Sequence, residues 1–236
     1  VHALYCTLRK IRRTVHITNK EIGSAWLDSR EKRENDAFIA QNFQLPVALL
    51  STEVLKVLKT FGYGTLIQER CAKGGTPFSM IKLQTLPEVD IPHETIAQEP
   101  YDLPPMPSFI RDAALDEIIQ LFHVSRNPDK PGPMVFTGAH RPQLIEELRI
   151  REKALVGAGY KDLAYGYRKI HDITEPAVFA PESFAGIAHT PGTVPFYKFC
   201  AESIIWYYQN ASPEVDMAII AGVLITGTQL IASQSS

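Results

Sequence analysis

A chain of 236 residues, 45% hydrophobic and 21% charged, has ordinary globular composition and length for one large core or two small ones, which excludes disorder as its main state. Its three cysteines, Cys6, Cys71 and Cys200, lie far apart with no C-x-x-C pair, which speaks against a zinc ribbon or a disulfide scaffold and fits a reducing compartment. The net charge of −2 conceals a basic front, with thirteen Lys and Arg against seven Asp and Glu in residues 1–85, and an acidic back, with eleven against nineteen.

Such a split is a cue for nucleic acid, for an anionic surface, or for attraction between copies of one protein. Val1 would follow methionine removal, polyprotein cleavage or transit-peptide loss equally well, and residues 1–25 show no apolar signal core. Thr18 to Ile22 fits a capping box, so a helix is expected to begin there. The polar run from Asp28 to Asp36 leaves two options, a solvated stretch of helix or a break near Ser29 with a restart. Leu45-Pro46 predicts an extended residue before the proline. A further helix is then expected from Ser51, its apolar face formed by Val54, Val57, Leu58 and Phe61, ending at Gly62 and Gly64.

Two strand-length runs, Thr65 to Cys71 and Phe78 to Gln84, flank a Gly-Gly turn and predict a hairpin. Helix plus hairpin has the form of the back half of a winged helix. The cations it carries, Lys56, Lys59, Arg70, Lys73 and Lys82, join an upstream cluster of Arg9, Lys10, Arg12 and Arg13 as candidates for contact with nucleic-acid backbone. The competing interpretation is an α/β packing unit with solvated lysines. Residues 86–108 hold six prolines and five acids and read as a linker or an extended arm, suited to reach a second copy.

Beyond the arm, Phe109 to His123 predicts a helix, "PMVFTG" a strand, and Pro142 to Val156 a helix bearing a Glu147–Arg151 pair at i, i+4. The stretch from Ala164 to Pro195 has no clear period and reads as a long loop. Pro195 to Gln209 predicts an aromatic-rich helix. Ser212-Pro213-Glu214 caps a last one reaching through Met217 to Ala232, apolar all round and therefore expected to be buried, at the centre of a bundle or at a subunit interface. That segment is short of the roughly 20 residues a bilayer crossing needs and holds Thr226, Thr228 and Gln229, so a membrane span is disfavoured.

Candidate chemical constellations are sparse. Asp112, Asp116, Gln120 and His123 share a helical face but have no matching Glu-x-x-His partner, so no metal is expected. Glu182, Ser183 and His189 crowd one loop without a nucleophile elbow. No Gly-rich phosphate cradle occurs, and no cofactor is expected. The sequence therefore predicts an α+β, helix-rich fold: a small helix-plus-hairpin, winged-helix-like part over 1–85, a Pro-rich linker or arm over 86–108, and a mainly helical part over 109–236. The favoured function is a nucleic-acid-binding structural or assembly protein of coat, nucleocapsid or ribonucleoprotein type, self-associating, cytoplasmic or virion-associated. Two alternatives stand beside it: an enzyme with a site assembled in the 171–193 region, towards which the sequence leans negatively, and an accessory subunit of a larger membrane-attached complex.

Overall fold

The computed structural model describes residues 22–86, 103–112, 115, 116, 118–184 and 189–222. The fold is α+β and helix-rich, with two small two-stranded sheets among the described residues. The capping box at Thr18 and the arm's acids at 88–102 lie outside them.

Helix α1 (Ile22–Leu27) stops before Ser29, whose extended backbone and Oγ, accepting from the Lys32 amide, start α2 (Arg30–Thr60). The break near Ser29 is thus the option realised. The extended residue expected at Leu45-Pro46 is not: α2 runs for 31 residues with Pro46 inside it. Its buried row, including Ala37, Ala40, Gln44, Val47, Ser51, Val54 and Leu58, keeps helical spacing past the proline, which itself faces solvent. One lost backbone hydrogen bond is outweighed by that continuous burial, and Gln44 Nε2 fastens the same turn by donating to Leu121 O and Val124 O at 2.9 and 3.0 Å. The apolar face expected further along is only half covered, since Val57 and Phe61 are exposed.

Strands β1 (Thr65–Cys71) and β2 (Pro77–Leu83) pair antiparallel from Thr65↔Leu83 to Cys71↔Pro77, as the sequence predicts to within a residue. Gly74 and Gly75, at φ 70° and 74°, close the turn in the left-handed region that glycine tolerates. This wing does not project. Its tip packs on α5 (Lys161–Ile173), Cys71 N donates to Gln143 O at 2.9 Å, and Lys73 pairs with Glu175 at 3.8 Å. Its outer edge is also engaged: Leu83 N donates to Asp116 O and Ile81 N to His123 Nε2.

Those edge contacts account for a second departure. The helix expected over 109–123 is instead α3 (Pro105–Asp112) followed by a 3-10 turn (Ile118–His123). Asp116, in a turn between them, meets the hairpin, with Thr85 Oγ1 donating to its carboxylate. Ile110 joins a cluster with Val54, Leu58 and Leu83, while Leu121 joins Ala40, Val47, Met80 and Met134.

Strand β3 (Val135–Thr137) pairs parallel with β4 (Ala177–Phe179), and the crossover between them is α4 (Ile145–Gly157) and α5. The long loop expected from Ala164 is therefore mostly ordered structure. Helix α5 buries Ala164, Tyr167, Ile170 and His171 at helical spacing, a stripe disguised in sequence by its glycine and polar aromatics. Helix α6 (Val194–Asn210) follows the expected aromatic segment and buries Ile204 and Tyr207 completely.

Ser212 Oγ accepts from Val215 N and caps a last helix, α7, over residues 213–222. Over the described part Ile219 is buried within the chain, whereas Met217 is 62% exposed, so the helix is not at the centre of a bundle there. No helix among the described residues is long and apolar enough to cross a membrane. Front and back of the chain meet through Trp26, which packs in one cluster with Leu148, Tyr167 and Ile204 and donates from Nε1 to Asp216.

Candidate functional site

A cleft of about 190 Å³ opens where the hairpin meets the helical part. Strand alternation and register put Arg70, Met80 and Lys82 on one face of the hairpin, and that face forms one wall. The loop after β3 supplies Arg141, Pro142 and Gln143, α4 supplies Glu147 and Arg151, and α6 supplies Phe196 and Cys200. Glu182, from a 3-10 turn (Pro181–Phe184), completes the wall.

The polar groups are held tightly. Glu182 accepts from Arg141 N at 2.7 Å and Gln143 Nε2 at 3.1 Å, and its other oxygen lies 3.4 Å from Arg151 Nη1. Arg151 Nη2 donates to Glu147 at 2.7 Å, the i, i+4 pair expected from the sequence, and Glu147 also lies 3.7 Å from Arg70. The Arg151 guanidinium carbon sits 5.7 and 5.8 Å from the Phe196 and Tyr197 ring centres, within cation–π range. Its buried Nε has no hydrogen-bond partner among the described residues.

The lining carries four cations, Arg70, Lys82, Arg141 and Arg151, against two carboxylates, Glu147 and Glu182. The surplus is positive, so the cleft suits an anion. Two of the lining groups are poorly suited to nucleophilic or acid–base work. Burial and then Glu182 push the Cys200 thiol far above its usual range, away from the thiolate a nucleophile needs. Glu182, spread over three donors, is engaged in positioning the loop and Arg151.

Behind the cleft lies a buried ring stack. His140 and His171 have ring centres 3.7 Å apart, and Tyr167 lies edge-on to His171 at 4.5 Å. His140 Nδ1 faces Arg141 O at 3.1 Å and Nε2 faces Thr174 O at 3.3 Å, so a neutral ring donates to one carbonyl and leaves the other without its proton. His171 Nε2 is buried without a partner among the described residues. Burial lowers the pKa of both histidines, most strongly for His171, where His140, Arg151 and Arg168 add to the effect.

Of the cations singled out from sequence, Arg70 and Lys82 line this cleft. Lys56 and Lys59 lie on the exposed side of α2, Lys73 lies at the hairpin tip, and Arg9, Lys10, Arg12 and Arg13 fall outside the described residues. Arg141 is not signalled in the sequence, and Arg151 and Glu182 stand out there only as half of an i, i+4 pair and as part of a polar loop, because the fold joins positions 70, 141, 151 and 182 without a local motif. The only signals were the Glu147–Arg151 spacing and the polar content of 171–193. The other constellations disperse: Asp116 and His123 serve the hairpin edge, Gln120 reaches the cleft, and His189 lies 5.4 Å from the Phe199 ring. No group of three His, Cys, Asp or Glu placed to hold a metal occurs among the described residues. Compared with known proteins, the chain matches no family model and no curated protein.

Proposed function

We propose that this protein is a self-associating structural protein that binds nucleic acid through its backbone, with the cationic cleft as part of the contact surface. The observation that carries the proposal is the convergence of Arg70 and Lys82 from the basic front with Arg141 and Arg151 from the acidic back on one cleft. Phosphate neutralisation needs several cations on one surface and no particular sequence spacing, in keeping with the lack of a local motif. The cleft is smaller than the ~300 Å³ at which drug-sized ligand pockets begin. A single phosphodiester unit, seated at its mouth while the strand continues over neighbouring surface, matches that size better than a whole cofactor.

Anisotropy titrations of a labelled single-stranded RNA across a salt series test this. The wild type is expected to lose affinity steeply with salt, and K82A/R141A to reduce the slope of log K against log salt by roughly 0.7 for each phosphate contact removed. An unchanged slope, with the variant still folded, removes the cleft from the contact surface.

A further inference from the structure

The outward side of α2 carries Phe38, Leu45 and Leu49, exposed at 64, 65 and 64%. At 100° per residue these three fall within about 40° of one another, an apolar stripe with no cover among the described residues. Beyond one end of it lie Glu31 and Glu34, and beyond the other Lys56 and Lys59, all exposed and on the same side of the helix. Lys56 and Lys59 were candidates for phosphate contact, but a phosphate backbone gives three large apolar side chains nothing to pack against. Protein is the better match.

We propose that this face is an interface between two copies of the chain, with the two α2 helices antiparallel about a twofold axis passing near Leu45. The charge order supports that occupant. About a dyad at position 45, residue 31 faces residue 59 and residue 34 faces residue 56, so each acidic end meets the partner's basic end, roughly 42 Å along the helix from one to the other. A parallel pair would set like charges against each other at both ends. The present partners of these groups are exposed and exchangeable: Arg30 with Glu34, and Lys56 with Glu53, each at 2.7 Å. Leu45, nearest the axis, would meet its own copy, and Phe38 and Leu49 would pack to either side. This deepens the self-association named above and does not depend on what the cleft binds.

Sedimentation of the full chain without nucleic acid tests the interface. The wild type is expected to be a dimer that weakens as salt screens the ends. L45E, which sets two carboxylates against each other near the axis, is expected to halve the sedimenting mass. E31K/E34K and K56E/K59E are each expected to dissociate more readily than the wild type, and an equimolar mixture of the two to recover a dimer, because every end then meets its opposite. Melting curves of the exposed-site variants establish that each remains folded. A wild type that is monomeric at every concentration, a dimer indifferent to L45E, or a mixture that associates no better than its components overturns the interface. RNA titration of L45E separates the two readings: retained binding by a monomer leaves the cleft intact whatever the fate of the dimer.

Discussion

Replacing Lys32 by Met is expected to cost about 3–5 kcal/mol of stability, the range for removing one partner of a buried ion pair. Lys32 is 2% exposed, and its ammonium lies 3.0 Å from Asp36 and 3.1 Å from Asp216. Trp26 Nε1 and the Tyr207 hydroxyl also donate to Asp216, so one ammonium holds two carboxylates inside the joint between α1, α2, α6 and α7. Burial already pushes the Asp36 carboxyl up against the pull of Lys32. Without the cation, two carboxylates face each other in a dry site, and one must take a proton or draw in water. The deficit of K32M should therefore shrink as the pH falls. At about 2–4 °C per kcal/mol, melting should drop by roughly 10 °C. Alanine at Arg30, whose pair with Glu34 is exposed, should leave the melting curve almost unmoved. A K32M chain as stable as the parent would show that the network contributes nothing net.

Acid should destabilise the protein from just below pH 6.5, and His140 and His171 should carry much of the effect. Both have folded pKa values lowered by burial, so below the ordinary value near 6.5 the unfolded chain takes up protons that the folded chain refuses. Stability is then present above that pH and falls as the pH drops towards the lowered values, by roughly 1 kcal/mol per pH unit for each histidine. Glu182 and Glu175 favour the charged form of His140, while Arg151 and Arg168 oppose charge on His171, so His171 is the more resistant of the two. Asp36, whose carboxyl is raised by burial, acts with the opposite sign and gains stability as the pH falls from its raised value towards 3.8. Urea unfolding at a series of pH values checks the account. His171→Gln should flatten the dependence below pH 6.5, and an equally steep curve would place the acid sensitivity elsewhere.

How much of this was legible beforehand follows from which forces act locally. The hairpin was readable because its turn demands left-handed glycines, and α6 because its aromatic density and N-terminal proline are local signals. The passage of α2 through Pro46 was not, since the compensation comes from Gln44 gripping carbonyls about eighty residues away. The split of 109–123 likewise depends on Asp116 and His123 serving a strand edge that propensity alone does not contain. Half of the cleft's cations, Arg70 and Lys82, were visible as charge on strands. Arg141 and Arg151 became part of it only through the β3–α4–α5–β4 crossover, and Glu182 only because the turn after β4 carries it back to the Arg141 amide.

Photo-crosslinking of a bound uridine oligonucleotide, followed by mass spectrometry of the peptides, tests the cleft as a nucleic-acid contact most directly. Phe196 lines the cleft beside Arg151, Tyr197 lies against the same guanidinium, and their peptide supplies the aromatic acceptor for the crosslink. Adducts on the peptide that carries these two residues, suppressed in K82A/R141A, are the expected result. An oligonucleotide that binds and crosslinks only to segments remote from residues 70–82, 141–151 and 196–200, or a chain that binds none at low salt, would contradict the proposal.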